Sequence, residues 1–405
     1  MNKTSPIMHF QAFGQGLFSV LAAGLVCLLP LSGYAQQLAD SNATPRTRAL
    51  FLNLQRAASE SKILFGHQDD LAYGVGWKQV PGGSDVRFTT GDYPAVYGWE
   101  LGNLEHDSIA NIDNVVFKEM KRWIREGYAR GGVITLSWHL DNYHTGGSAW
   151  DTTAAVQDIL PGGAKHMRYR QDLDRFAKFV NSLEAGNWFE KHKIPIIFRP
   201  FHEHTGDWFW WGKTHVSPED FKALWQFTVA YLRDEKKLHQ LLYSFSTSYM
   251  FENEAEMLEF YPGDAWVDML GVDFYAYDTL PRTWERFRKA QRILVAAAEK
   301  RGKVPALTEF GFEGIPQANW WTDVFHHNIM SDPETSRIAY VCAWRNANRK
   351  HHYVPYPGGV SALNFQEYYR LDATLFERDL WNFYKKPKPL GTVEETKTSA
   401  VGAEK

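Results

Sequence analysis

Eight short, unbroken apolar runs, separated by stretches of helical periodicity, constrain the fold of this 405-residue chain more than any other feature. They fall at residues 63–66, 95–100, 133–138, 194–199, 241–245, 269–275, 304–309 and 340–344. Continuous rather than alternating apolarity is the pattern of parallel strands buried on both faces. Between them Val116, Met120, Trp123 and Ile124 recur at helical spacing, as do Leu173, Phe176, Ala177 and Val180. Ser217-Pro218-Glu219-Asp220 starts another helix, with a capping serine and proline at the first helical position, and 283–303 reads as a further one. Strands alternating with helices predict an α/β fold, a single (β/α)8 TIM barrel. A doubly wound sheet is the alternative, but no glycine-rich phosphate fingerprint supports it.

The two ends read differently from the middle. Lys3, an apolar stretch at 17–31 and the small residues Gly33 and Ala35 flanking Tyr34 form a secretory signal, 1–35. The stretch is short for a membrane span and is interrupted by Pro30, so an uncleaved anchor is the weaker reading and no membrane span is expected in the mature chain. Cys27 leaves with the signal, because Gly24-Leu25-Val26 lacks the small residue that precedes a lipidated cysteine. Cys342 then remains alone and makes no intramolecular disulfide. Residues 36–389 are expected to form the barrel and 390–405 a disordered polar tail. Export places the work outside the cytoplasm: extracellular, periplasmic or at the cell envelope.

Charge excludes one class of partner. Lys+Arg 44 against Asp+Glu 47 leaves a net charge of −3, without the basic excess that nucleic-acid binding by a charged surface requires. Aromatic residues make up 15%, among them 16 tryptophans. Indoles are large and their N–H groups want partners, so this number implies either an unusually aromatic core or ring faces offered to a ligand.

In such barrels functional side chains gather where strands end and βα loops begin. The third run ends in Trp138-His139-Leu140-Asp141-Asn142, and the fourth in Arg199-Pro200-Phe201-His202-Glu203-His204, followed by Asp207-Trp208-Phe209-Trp210-Trp211. The sixth ends in Asp273-Phe274-Tyr275, the seventh in Thr308-Glu309-Phe310-Gly311 and the eighth in Trp344-Arg345. Glu203 and Glu309 stand roughly three βα units apart, which brings strands four and seven face to face across the barrel mouth. A pair of carboxyls so placed suits glycoside hydrolysis; the bland alternative is two structural glutamates paired with Arg199 or Arg345. Trp208, Trp210 and Trp211 are expected to stack on sugar rings, with Trp138 and Trp344, while Trp123 and Trp225 are expected to pack. His202 and His204, with His67, His139 and His144 near other strand ends, admit a metal-dependent barrel hydrolase, although no HExxH helix is present.

The string Phe198 to Glu203, the tryptophan-rich loop after it, Gly271-Val272-Asp273-Phe274-Tyr275, Thr308 to Gly311 and Ala343-Trp344-Arg345 resemble glycoside hydrolase family 26 over nearly the whole mature chain. The resemblance implies a retaining β-mannanase of the clan with catalytic glutamates on strands four and seven. Glu203 resembles its general acid/base and Glu309 its nucleophile. His202 resembles the contact to the sugar 2-hydroxyl and Tyr275 the residue bonding the nucleophile. His139, Trp208, Asp273, Trp344 and Arg345 resemble sugar contacts; Asp141 is added as a binding candidate, and Trp150 as a platform of unmatched spacing. The implied enzyme acts on mannan or manno-oligosaccharides as a monomer, without metal or organic cofactor. If 141–163 closes the cleft it releases mannobiose from the non-reducing end; otherwise it cuts within chains. Mixed-linkage glucan and β-1,3-xylan are the alternative substrates.

Overall fold

The computed structural model describes residues 38–187 and 190–387. The expected signal at 1–35 and the expected tail at 390–405 lie outside the described residues. Eight parallel strands close into a barrel: β1 Ile63–Gln68, β2 Val96–Glu100, β3 Val133–Ser137, β4 Ile196–Arg199, β5 Leu241–Ser248, β6 Met269–Ala276, β7 Val304–Phe312 and β8 Tyr340–Ala343. Neighbours pair in sequence order, and β8 returns to β1 with Leu64 opposite Tyr340 and His67 opposite Ala343. All eight apolar runs are therefore strands. The fourth begins two residues later than its apolar run, since Pro195 has no N–H to give the ladder.

Helices cover the outside. Phe117–Ala129 follows β2, His166–Asn181 follows β3, Pro218–Ala230 follows β4 and Pro281–Lys300 follows β6. Ser217 Oγ accepts the backbone N–H of Asp220, the cap expected from the sequence. The helix expected at 283–303 starts two residues earlier, at Pro281, and stops at Lys300. Aromatic rings fill much of the layer between strands and helices. Trp123 stacks flat on Trp99 from β2, ring centroids 5.9 Å apart, and Trp225 is buried with its N–H on the Trp266 carbonyl. Among the described residues no helix is long and apolar enough to cross a membrane.

One irregularity positions the site. Val272 pairs with Leu307 and Asp273 with Glu309, so β7 carries one residue more than β6; against β8 the register slips between Leu307 and Phe310. Such a bulge re-aims side chains. Here the consecutive residues Thr308 and Glu309 both reach the same buried cluster, whereas a regular strand would send them to opposite faces.

Candidate active site

Glu309, near the end of β7, receives a donor on each oxygen. Arg199, the last residue of β4, donates to Oε1, and the Tyr275 hydroxyl on β6 donates to Oε2 at 2.8 Å. The other Arg199 terminal nitrogen lies 3.0 Å from Asp273 Oδ2 and 2.9 Å from Ser246 Oγ, and Thr308 Oγ1 donates to Asp273 Oδ1 at 2.5 Å. Burial first, and then the Glu309 charge, push the Tyr275 phenol well above its ordinary value, so it stays a proton donor. Gly311 must be glycine for this arrangement: a Cβ there would lie 2.1 Å from Tyr353 Cδ1, and the Tyr353 ring packs 5.7 Å from that of Tyr275.

Glu203 sits in a different electrostatic setting. It follows β4 in a tight turn in which Phe201 and Glu203 both take left-handed backbone, φ 49° and 56°. Non-glycine residues rarely adopt this conformation, and proteins tolerate it mainly at functional sites. The turn is pinned by the Glu203 N–H on the Ser246 carbonyl at 3.0 Å. The Trp208 indole N–H donates to Glu203 Oε2 at 2.7 Å, and Gly206 leaves room for that ring, since a Cβ there would come within 2.3 Å of it. Burial, and then the facing carboxylates Asp273 and Glu309, hold the Glu203 carboxyl well above the usual range. One oxygen each from Glu203, Asp273 and Glu309 lie within 4.8 Å of one another. Two carboxyls this close, one touched by a guanidinium and the other by an indole, are equipped for opposite roles: one to attack, one to hold a proton. A cavity of about 430 Å³ opens over Glu203, Asp273 and Tyr275, with Trp208, Tyr249, Met250 and Tyr277 in its walls. A second cavity, of about 470 Å³, continues from it past Tyr249 and Tyr277 to Asp278, Arg282 and Arg286.

Histidines line the other side. His202 Nε2 lies 4.0 Å from Glu309 Oε1, and the His202 ring meets His139 edge to face at 4.6 Å. Burial, with His139 and Arg199 nearby, drives the His202 imidazole well below its ordinary value, so it is neutral. His204 does not share this cluster. Its ring packs among Phe221, Phe245 and Phe260, and burial holds it at about 3. The alternating histidines thus part company, and they do not converge on a common ion. His67 and His144 pair with Asp70 and Asp158.

The structure corrects the tryptophan reading. Trp138, Trp210 and Trp211 are buried and cannot stack on a ligand. Their N–H groups go to Glu105 Oε2, the Leu140 carbonyl and the His202 carbonyl, so they buttress the loops after β3 and β4. Trp208 and Trp344 are partly exposed. Trp150 is 51% exposed and lies flat on His139, 5.0 Å away at 12°. Arg345 binds Asp113 at 2.9 Å rather than either glutamate, with Tyr73 OH 3.4 Å from its other nitrogen. Asp141 pairs with His106 at 2.8 Å beside Glu105 and lines a separate cavity of about 290 Å³. Sequence reasoning passed over Glu100, Asp113 and Tyr249. Glu100 carried the same signal as the others, an acid closing an apolar run.

Comparison with known proteins agrees with this geometry. The family model described as glycosyl hydrolase family 26 matches residues 39–341. A mannan endo-1,4-beta-mannosidase from Bifidobacterium adolescentis is 37% identical over 292 residues, which is 70% of this chain but only 28% of that much longer protein. The solved structure of a family 26 β-mannanase from Bacteroides ovatus superposes with a TM-score of 0.80 at 42% identity, covering 84% of this chain and 98% of that one. A modular endo-β-1,4-mannanase from Cellulomonas fimi gives 0.79 at 35%, covering 86% and 79%. With its eight-stranded barrel and a carboxyl pair just after β4 and on β7, this chain belongs to glycosyl hydrolase family 26.

Proposed function

We propose that the chain is a retaining β-mannanase that hydrolyses β-1,4-mannosidic bonds of mannan and manno-oligosaccharides. The observation that carries this reading is the pair Glu203 and Glu309, with carboxyl oxygens within 4.8 Å and contrasting surroundings. Retaining glycosidases hold their carboxyls about 5–5.5 Å apart, whereas inverting ones leave room for a water between them. Glu309 attacks the anomeric carbon while Glu203 passes its proton to the departing glycosidic oxygen. A covalent glycosyl-enzyme results. Glu203, now a base, takes a proton from water, and the hydroxide displaces Glu309 with configuration retained. His202, Tyr275, His139, Trp208, Asp273, Trp344 and Arg345 hold the sugar around the cleavage point. The β-mannanase relatives support mannan as the substrate. The signal-like features of 1–35 support export, with a mature chain starting at Gln36, and the protein works as a monomer.

Timed product analysis on mannan and mannohexaose tests this. A spread of oligosaccharides marks cutting within chains, and mannobiose alone from the start marks exo action. Inactivity on mannan with cleavage of mixed-linkage glucan or β-1,3-xylan overturns the substrate assignment, and loss of activity with a chelator overturns the metal-free mechanism.

A further inference from the structure

Glu100 closes β2 with its side chain fully buried, yet it touches neither carboxyl of the pair. Its Oε1 accepts the backbone N–H groups of Gly102 at 2.6 Å and His139 at 2.8 Å. Its Oε2 accepts the Ser137 hydroxyl at 2.7 Å and faces His139 Nδ1 at 2.9 Å. A buried carboxylate that accepts three hydrogen bonds and pairs with an imidazole is fixed in place, and it fixes whatever it binds. The His139 ring leads onward in two directions: edge-on to His202, which stands beside Glu203 in sequence and 4.0 Å from Glu309, and face-on to the half-exposed Trp150.

We propose that Glu100 is a positioning residue of the cleft: by anchoring His139 it sets both the orientation of His202 at the cleavage point and the pose of Trp150, whose outward face carries a sugar ring. The charges agree with this arrangement. Burial opposes a charge on either partner. The mutual attraction outweighs it, holding Glu100 at about 2 and His139 above its ordinary value. A protonated imidazole flat against an indole adds a cation–π attraction that keeps Trp150 from turning away. Partners one shell behind a binding group commonly govern its orientation in this way.

The inference rests on the glycosidase reading, so it is tested on whichever β-glycan the wild-type chain cleaves; a wrong substrate assignment then leaves the test intact. Glu100→Gln keeps a carbonyl oxygen for the two backbone N–H groups but presents an amide N–H to His139 Nδ1, which must become an acceptor. The expected result is an unchanged melting temperature within a few degrees, with kcat/KM down about a hundredfold, as for an ångström-scale misplacement. Both a lower kcat (through His202) and a higher KM (through Trp150) contribute. Trp150→Ala raises KM in the wild-type background and adds less in Glu100→Gln, because the two act as one unit. His139→Asn retains an N–H for Glu100 but has no ring; it is expected to fold and to lose activity similarly, which decides the matter should Glu100→Gln misfold. Wild-type kcat and KM in Glu100→Gln, strictly additive effects with Trp150→Ala, or an active His139→Asn would overturn the proposal.

Discussion

Arg199 at the end of β4 donates to Glu309 on β7 while its second terminal nitrogen holds Asp273 on β6 at 3.0 Å, so one buried guanidinium serves two carboxylates. Removing one partner of a buried ion pair leaves charge uncompensated and costs about 3–5 kcal/mol. Arg199→Met is therefore expected to lower stability by that order near neutral pH in denaturant titrations. Acid relieves the penalty, because protonation neutralises the stranded carboxylates. A loss that is equal or larger at about pH 4.5 would contradict the charge-based account.

The Trp208 N–H on Glu203 Oε2 favours the charged form of a carboxyl that burial otherwise keeps protonated. Trp208→Phe removes that donor and should raise the Glu203 pKa further. Since the alkaline limb of kcat/KM reports the essential acid of the free enzyme, the limb is expected to move to higher pH. A shift to lower pH would show that the limb belongs to another group.

Neighbouring tryptophans should separate function from packing. Trp210 is buried with its N–H on the Leu140 carbonyl, so Trp210→Ala is expected to cost about 3–5 kcal/mol of stability. Trp208→Ala, at a partly exposed site against Glu203, is expected to melt close to the wild type and to lose activity. Thermal melts set beside initial rates check both, and the reverse pattern would restore Trp210 as a sugar platform.

Much of this was legible before the structure, and the reasons differ by residue. Strand positions follow from continuous burial, which leaves a direct imprint on sequence, so all eight runs were found. Glu203 and Glu309 stood out because an acid at the end of a buried strand is costly unless it is used. Burial of individual tryptophans was not legible. In Trp208-Phe209-Trp210-Trp211 the tight turn around Gly206 and Gly212 decides which ring faces solvent, and turn geometry of that kind has no periodic signature. The bulge at Thr308 and Glu309 was equally hidden, being a register difference between strands. The sequence presents Arg199 only as an ion-pair partner for a structural glutamate; it does pair with Glu309, from within the site.

The central claim, that Glu309 forms a covalent bond to the sugar with Glu203 as its acid/base, is tested most directly by trapping. A 2-deoxy-2-fluoro β-mannobiosyl fluoride loses fluoride as the nucleophile attacks, and the remaining fluorine slows release of the sugar from the enzyme. Peptide mass spectrometry is predicted to find the added 2-deoxy-2-fluoro-mannobiosyl group on the peptide carrying Glu309, and Glu309→Ala is predicted to remain unlabelled. Labelling of any other carboxylate, or an unlabelled enzyme whose first product has inverted configuration by proton NMR, would contradict the account.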